Sequence, residues 1–441
     1  MSLSVAAMAE RRPFSVTLYL ALSRLAAPLY RLMHFIRCRS GKDDPSRSGE
    51  KFSVTEHNRP DRPLVWIHAA SVGETSSVLP LIEVLTRAGM TVLLTTVTRT
   101  SGELAGKRLP KGAIHQYAPF DRLPHWERFL KFWQPDLAIL VESEVWPACL
   151  ESLASKACPI CIVNGRMSEK SFKGWSRFSG AAGYLFGKMD LALAQSSADA
   201  ERLAELGCRK VEHPGNLKFD AVPETADQDS LRELTSSLAE RPVWLAALTH
   251  PGEDEIVLQA HRALLRERPD LLLMLVPRHP ARTHEICDLI ARQGLKVARR
   301  SAKEVINSET RVYLGDTLGE MNLFYSAANV AFLGGSFVDV GGHNPVEAAS
   351  FGSAILSGPK VANARPVYKS LWLDGGAIRV EQPGQLADHV LRLLDDPVAR
   401  DLQAEKARTV IDSGRGALQR TLDLLEPLLP ISLSKGEEVE R

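Results

Sequence analysis

The chain has 441 residues, of which 54 are basic and 53 acidic, so its formal net charge is only +1. This balance gives no overall electrostatic drive toward nucleic acid, and 44% hydrophobic with 24% charged residues excludes wholesale disorder. The length allows two domains with a core each, and a mean hydropathy of −0.11 excludes a polytopic membrane protein. Six cysteines are too few for a disulfide framework, which indicates a reducing compartment.

The N-terminal segment, residues 1–40, differs from the rest because it holds six arginines against one acid, Glu10. Its longest uncharged run is eleven residues, well short of the ~20 that a helix needs to span a bilayer. Apolar side chains fill the segment, and Thr17, Arg24 and Arg31 share one helical face. The pattern predicts a membrane-associating helix that lies on anionic lipid. A helix packed on the protein's own core and a cleaved signal peptide remain alternatives.

The first half alternates apolar segments of strand length with helix-like segments, after a polar stretch over residues 39–63 that reads as a linker. The predicted strands are 64–69, 91–97, 113–120, 137–142, 159–164 and 191–196, and the clearest predicted helix is 78–89. Continuous apolar strands between helices are typical of a parallel sheet that is covered on both faces.

The second half repeats this rhythm after another polar stretch, residues 223–230. Its predicted strands are 243–248, 271–277, 295–301, 312–315, 330–335 and 354–359, and its predicted helices are 254–266, 282–293, 317–328, 344–352, 384–395 and 397–425. The sequence therefore predicts an α/β protein with two Rossmann-like domains, residues 41–222 and 223–430, and a polar tail, residues 431–441. Ligands of such sheets bind beyond the carboxyl ends of the strands, so we expect the chemistry in a cleft that the two domains face.

Several familiar cofactor motifs can be set aside. Residues 102–107 resemble a phosphate-binding loop but lack the Ser or Thr that binds magnesium. The pair Cys158 and Cys161 lies in a predicted strand without a second pair at zinc-site spacing, and Asp227-x-Asp229 lies in the polar stretch. No GxGxxG follows any strand, which argues against a dehydrogenase. The sequence predicts neither a metal nor a cofactor.

Two acidic motifs follow predicted strands of the first half. The run HAASVGE, residues 68–74, joins a strand to a helix and places Glu74 at the mouth of the sheet. Glu74 can serve as a general base, but Ser71-x-x-Glu74 is also a capping box, and the sequence leaves both roles open. Glu142-Ser-Glu144 follows a buried strand, and a functional role for these two acids is favoured over a structural one.

Three motifs of the second half indicate a site for the phosphate of a nucleotide. VPRHP, residues 276–280, ends a strand with Arg278, whose guanidinium suits phosphate. GDTLGEM, residues 315–321, enters a helix, and the Gly-rich segment 334–352 precedes another, where free N–H groups can meet an anion. Glu347 can accept hydrogen bonds from paired ribose hydroxyls.

These motifs together resemble those of the 3-deoxy-D-manno-octulosonic acid (Kdo) transferases. The resemblance lies in HAASVGE, ESEVWP (142–147), GNLKFD (215–220), VPRHP, LGDTLGEM and GGHNPVEAA (341–349), and it follows the same order over nearly the whole chain. It implies a glycosyltransferase of the GT-B type that moves Kdo from CMP-Kdo to a lipid A precursor, lipid IVA, in lipopolysaccharide biosynthesis. It also implies a place at the cytoplasmic face of the bacterial inner membrane, held by the N-terminal helix.

By the family pattern, Glu74 is the catalytic base of an inverting transfer, and Glu144 and Lys218 match positions that stabilise the transition state. The positions that match CMP contacts are Pro277, Arg278, Gly319, Glu320, Met321, Asn344, Pro345, Val346 and Glu347. The resemblance implies no metal, no cofactor besides the CMP-Kdo donor, and no obligate protein partner. Two alternatives remain: a sugar-nucleotide epimerase with the same two Rossmann-like domains, and a non-catalytic, membrane-bound nucleotide sensor.

Overall fold

The chain divides into two units, which we describe separately in a computed structural model. Residues 11–220 and 225–433 are described. The first unit comprises Met1–Ala221 and Arg415–Arg441, and the second comprises Val222–Gly414.

The first unit is built on a parallel sheet of seven strands. In chain order these are β1 (Leu64–His68), β2 (Thr91–Thr96), β3 (Ala113–Tyr117), β4 (Leu137–Val141), β5 (Ile160–Gly165), β6 (Leu191–Ala194) and β7 (Val211–Glu212). They lie side by side in the order β3-β2-β1-β4-β5-β6-β7, with every described pair parallel. The central strands β1 and β4 are buried along their whole length, as their continuous apolar sequences predict.

Helices cover both faces of this sheet. They are α1 (Phe14–Leu25), α2 (Ala27–Arg39), α3 (Val72–Arg87), α4 (Arg99–Arg108), α5 (Leu123–Trp133), α6 (Pro147–Ser155), α7 (Glu169–Ser176), α8 (Ser179–Phe186) and α9 (Ser197–Glu205). Alternate residues of β1 point to opposite faces, so Trp66 packs with Trp126 and Phe129 of α5, whereas Ile67 belongs to the core beneath α3. The predicted strands of this half are confirmed, apart from the short edge strand β7, which the sequence pattern missed.

The second unit repeats the architecture. Its strands are β8 (Val243–Thr249), β9 (Leu272–Pro277), β10 (Val297–Arg299), β11 (Val312–Leu314), β12 (Val330–Leu333), β13 (Ala354–Ser357) and β14 (Ala377–Arg379), in the parallel order β10-β11-β9-β8-β12-β13-β14. Its helices are α10 (Gln228–Leu238), α11 (Glu253–Glu267), α12 (Thr283–Arg292), α13 (Met321–Ala327), α14 (Val346–Ser350), α15 (Arg365–Leu373), α16 (Leu386–Asp395) and α17 (Pro397–Ser413). Strand β14 and helices α10 and α15 were not predicted.

The end of the chain differs from the predicted domain boundary. The single helix predicted over 397–425 is two helices, because Gly416 adopts a left-handed φ of 84° and breaks it. Helix α18 (Ala417–Leu425) packs in the core of the first unit, where Leu422 and Leu425 are buried with β1 and α3. The second unit therefore ends at Gly414 rather than at 430.

The N-terminal segment is two helices, and one of them packs on the first unit. Val16 and Leu20 of α1 are 2% and 4% exposed and belong to the core that contains Trp126. The Tyr19 hydroxyl donates to Asp121 at 2.7 Å, which fixes the outer side of the same helix. The alternative of packing on the protein's own core therefore holds for α1. Residues 1–10 lie outside the described residues.

The remainder of α1 and α2 presents a large apolar surface. Its exposed side chains include Phe14, Leu18, Leu22, Leu25, Leu29, Leu32, Phe35 and Ile36. Within the part of the chain that the structure describes, no helix is long and apolar enough to cross a membrane.

The predicted linker over 39–63 is ordered in its centre, which corrects that expectation. A 3₁₀ segment, Pro45–Phe52, packs beside β3, and its Glu50 and Lys51 are buried. Glu50 accepts from the Tyr117 amide at 2.7 Å, and the Lys51 ammonium donates to the Val97 carbonyl at 2.7 Å. A polar sequence becomes structure here because each buried charge has a partner.

Candidate functional site

The turn from β1 into α3 positions Glu74 at the carboxyl edge of the first sheet. Ser71 is the N-cap of α3, and its hydroxyl accepts from the Glu74 amide at 3.3 Å. In return, the Glu74 carboxylate accepts from the Ala70 amide at 2.8 Å and from the Ser71 hydroxyl at 2.7 Å. The capping interaction expected from the sequence is therefore present, although the carboxylate binds the amide before the N-cap rather than the amide of Ser71 itself.

The environment of Glu74 changes its acidity. Burial raises the pKa of the Glu74 carboxyl to about 7, and the negative charges of Glu142 and Glu144 act in the same direction. Hydrogen bonds from Ser71 and Ala70 oppose this change without cancelling it. A carboxylate with a pKa near neutrality can take a proton at physiological pH, which an ordinary surface glutamate does poorly.

Glu142 and Lys218 form an ion pair at the same edge. The Lys218 ammonium lies 2.6 Å from Glu142 Oε1. Glu142 directly follows β4 and holds a left-handed φ of 58°, which is unusual for a residue with a side chain and often marks a functional turn. Asn164 fixes the other partner, because its Oδ1 accepts from the amide of Leu217, the residue before Lys218.

Glu144 is held by two aromatic side chains. The Trp146 indole donates to Glu144 Oε2 at 2.7 Å, and the His68 Nε2 atom lies 3.8 Å from the same oxygen. Burial acts to raise the pKa of Glu144, but the contacts with His68 and Trp146 outweigh it, so the pKa lies below its usual value. Glu74 and Glu144 thus differ in the direction of their pKa shifts, which suits one to accept a proton and the other to remain charged.

The Gly-rich loop after β12 is organised differently from the sequence expectation. The buried carboxylate of Glu253 accepts from the amides of Gly335, Ser336 and Phe337 at 2.6, 3.0 and 2.9 Å, and from the His250 amide at 3.1 Å. These amides are therefore occupied by the protein's own carboxylate, which corrects the view that this part of the loop offers free N–H groups to an anion.

The positions that match CMP contacts lie on three loops at the carboxyl edge of the second sheet. Pro277 ends β9, and the Arg278 amide that follows donates to the Thr249 carbonyl at 3.0 Å. Asn344 to Glu347 enter α14, where the Asn344 side chain accepts from the Val346 amide at 3.4 Å. These loops leave strands β9, β11 and β12, of which β9 and β11 are neighbours and β12 is separated from β9 by β8.

The third of these loops, Gly319 to Met321, contains an engaged carboxylate. Glu320 pairs with Arg300 at 2.7 Å and accepts from the Thr317 hydroxyl. These contacts hold the pKa of Glu320 below its ordinary value. The Glu320 side chain thus braces the turn before α13, and Gly319 beside it is exposed.

Comparison with known proteins decides the family. Residues 46–221 match the family described as 3-Deoxy-D-manno-octulosonic-acid transferase (kdotransferase), and residues 240–410 match Glycosyl transferases group 1. The 3-deoxy-D-manno-octulosonic acid transferase of Rickettsia bellii is 34% identical, covering 94% of this chain and 99% of its own. That of Haemophilus influenzae is 36% identical over 83% and 87%. The chain belongs to the Kdo transferase family. It is therefore an enzyme, a glycosyltransferase.

A solved structure supports the architecture. The UDP-GlcNAc 2-epimerase of Neisseria meningitidis, bound to UDP-GlcNAc, aligns with a TM-score of 0.56 over 82% of this chain and 100% of its own, at 13% identity. At that identity the likeness shows the fold alone, two Rossmann-like units as in GT-B proteins. The resemblance to Kdo transferases that the motifs indicated is confirmed.

The structure brings Glu74, Glu144 and Lys218 to one edge of the first unit, but their catalytic roles stay predictions. Sequence reasoning missed His68, although it stands in the motif HAASVGE, and it missed Glu253, whose only signal was its place at the start of a helix. Among the described residues, no group of three or more His, Cys, Asp or Glu side chains is arranged to hold a metal ion.

Proposed function

We propose that this Kdo transferase moves Kdo from CMP-Kdo to a sugar hydroxyl of a lipid A precursor, lipid IVA, with inversion at the anomeric carbon. The observation that carries the proposal is Glu74, a half-buried carboxylate at the sheet edge with a pKa raised to about 7. In this proposal, the first unit binds and activates the acceptor, and the second unit binds the nucleotide of the donor.

In this mechanism, Glu74 takes the proton of the acceptor hydroxyl while its oxygen attacks the anomeric carbon of Kdo. The bond from that carbon to the CMP phosphate oxygen breaks, and CMP leaves with the bonding electron pair. Attack opposite the leaving group inverts the centre. Glu144 keeps its negative charge beside the oxocarbenium character of the transition state, which is consistent with its lowered pKa.

The leaving CMP needs fixed positive groups because its negative charge grows as the bond breaks. Arg278 supplies a guanidinium at the end of β9, and the loop before α14 lies on the same edge of the second sheet. Lys218 is held by Glu142 at 2.6 Å, which gives its ammonium a defined position for a negative group of the substrates.

The surface of the N-terminal helices is consistent with an acceptor that lies in a membrane. Phe14, Leu25 and Leu29 are 80%, 77% and 65% exposed. Exposing these apolar side chains to water is unfavourable, whereas burying them in a lipid interface is favourable. Residues 11–42 contain no acidic side chain, so anionic lipid meets only positive charge there. A pocket of ≈580 Å³ between α2 and the 3₁₀ segment, lined by Phe35 and Phe52 among others, adds apolar surface. We therefore propose that these helices hold the enzyme on a membrane surface, and membership of the Kdo transferase family supports the cytoplasmic face of the inner membrane.

The test is to incubate the purified enzyme with CMP-Kdo and lipid IVA and to determine the mass of the lipid product. We expect mass increments of Kdo, and release of CMP only when the acceptor is present. An epimerase or a nucleotide sensor would give no such product. Glu74→Gln should slow the transfer at least about a hundredfold, because Gln cannot accept the proton. Glu83→Gln, an exposed position on the same helix, is the matched control.

The thermal midpoint of Glu74→Gln separates the two roles of this residue. Gln can keep the capping bonds with Ala70 and Ser71, so we expect the midpoint to change little. Near-normal turnover by the Gln variant would assign Glu74 to the cap alone and would move the base to another group.

A further inference from the structure

His250, Arg278 and His343 gather at the carboxyl edge of the second sheet. His250 follows β8 and Arg278 follows β9, while His343 lies on the loop after β12. The three strands are neighbours in the order β9-β8-β12. Neither histidine belongs to the positions that match CMP contacts, although Arg278 does.

The two histidines are joined by a direct hydrogen bond. His250 Nε2 lies 3.0 Å from His343 Nε2, and the rings stack with centroids 5.2 Å apart and planes 13° from parallel. Burial lowers the pKa of His343 to about 3, so its ring is neutral. The backbone carbonyl of Leu248 acts on the pKa of the same ring in the opposite direction, without cancelling this effect.

The direction of this hydrogen bond follows once His250 is protonated. Both nitrogens of a protonated imidazole are donors, so the neutral ring of His343 then accepts from His250 at Nε2. The Nδ1 atom of His250 has no hydrogen-bond partner among the described residues, and it can carry a second proton without breaking the first contact.

The charges around His250 are mostly positive. Burial, together with His279, Arg278 and Arg282, lowers the pKa of His250 and keeps its ring neutral when no ligand is bound. The carboxylates of Glu253 and Asp254, which follow His250 in the chain, are occupied, since Glu253 binds the backbone amides described above and Asp254 pairs with Arg282 at 2.7 Å. On the loop after β12, Asp339 pairs with Lys360 at 2.8 Å.

An anion bound against these groups would favour the protonated form of His250 instead of the neutral form. A phosphate monoester carries close to two negative charges at pH 7, and a negative charge within a few ångströms favours the protonated form of a histidine. The site would then offer the guanidinium of Arg278 and the newly formed Nδ1–H of His250 to the same phosphate.

We propose that His250 is a phosphate-binding residue that takes up a proton when the nucleotide binds, with His343 holding its ring in place through their hydrogen bond. The inference rests on the proposed donor site in the second unit. It adds a cation that exists only in the complex and that neutralises CMP as it leaves. The proton comes from solvent on binding and returns to solvent on release, so no co-reactant is needed.

The experiment is titration calorimetry of the full-length enzyme with CMP at pH 7.0, in two phosphate-free buffers that differ in ionisation enthalpy. The difference between the two binding enthalpies gives the protons taken up per CMP. We expect a clear fraction of a proton for the wild type, and none with cytidine, which lacks the phosphate. In His250→Gln, uptake should fall toward zero and CMP affinity about tenfold or more, as a lost charge-assisted bond implies.

His284→Gln is the matched control, because His284 is an exposed histidine of the same unit and should keep both quantities. His250→Asn is a second variant if the first does not fold. Uptake that is absent in the wild type, or unchanged in a folded His250 variant, would overturn the role of His250 alone. Failure of the wild type to bind CMP would overturn the donor site itself, and this inference with it.

Discussion

At the scale of single residues, Glu74 combines a structural and a chemical role in one side chain. It caps α3 through Ala70 and Ser71, and the same burial that makes the cap effective also raises its pKa to about 7. The two roles are compatible because a carboxylate that accepts two hydrogen bonds keeps further lone pairs for a substrate proton. The question left open by the sequence, cap or base, is therefore not a choice between exclusive alternatives.

The raised pKa of Glu74 predicts a pH dependence of the transfer. A base acts only when ionised, so kcat should rise as the pH increases through about 7 and level off above it. Rates measured at saturating CMP-Kdo keep nucleotide binding out of the profile. In Glu74→Gln the remaining activity should lack this limb, whereas Glu83→Gln should retain it. A limb with the same midpoint in the Gln variant would show that another group titrates.

Residue types were easier to predict than their partners. Glu74, Glu144 and Lys218 could be named from motifs, because each follows a strand or stands in a motif shared with the family. The sequence could not show that Glu253 occupies the loop amides, since these contacts join residues more than eighty positions apart. The Gly-rich composition of the loop therefore led to the prediction that its free amides bind an anion.

At the scale of elements, strands and helices could be predicted where the apolar pattern of the sequence shows which residues are buried. They could not be predicted where a few contacts with distant residues determine the local structure. The strand predicted at 64–69 is β1 almost to the residue, because an unbroken apolar run can only be a covered strand there. The segment Pro45–Phe52 was predicted as linker because its order depends on distant partners such as Tyr117 and Val97.

The exposed surface of α1 and α2 predicts how the enzyme meets lipid. Removing the whole segment would also remove Val16 and Leu20 from the core, so surface substitutions are the sharper test. We expect the triple variant Leu22→Ser, Leu25→Ser and Leu29→Ser to bind anionic vesicles at least about tenfold more weakly, since each buried leucine contributes about 1.5–3 kcal/mol at most.

The thermal midpoint of this variant should change little because the three leucines are 56%, 77% and 65% exposed. Leu402→Ser, at an exposed position of α17, is the control and should leave vesicle binding unchanged. High salt should weaken binding of the wild type part-way, because the arginines of the segment contribute about 1 kcal/mol each near anionic lipid. Full sedimentation of the triple variant with vesicles would place the membrane contact elsewhere.

At the scale of the whole molecule, the chain leaves the first unit after Ala221 and returns to it at Arg415. The return is anchored by Asp220, whose carboxylate accepts from the amides of Gly416 and Leu418 at 2.7 and 2.6 Å. Sequence reasoning read one helix through this point, although Gly414 and Gly416 stand there as a stop signal. The first unit is therefore completed by residues that follow the second unit in the chain.

This connection predicts that a substitution near the C-terminus destabilises the first unit. Leu425 is fully buried against β1 and α3, so Leu425→Ala should lower the free energy of unfolding of that unit by about 2–5 kcal/mol. Asp423→Ala, at an exposed position of the same helix, should change this free energy by less than about 0.5 kcal/mol.

The measurement is hydrogen exchange resolved by peptide, and faster exchange should appear in β1 and α3 of the Leu425→Ala variant. CMP affinity should stay unchanged, because the proposed nucleotide site belongs to the second unit. Faster exchange in β8 and β9 instead, with β1 and α3 still protected, would show that α18 supports the second unit.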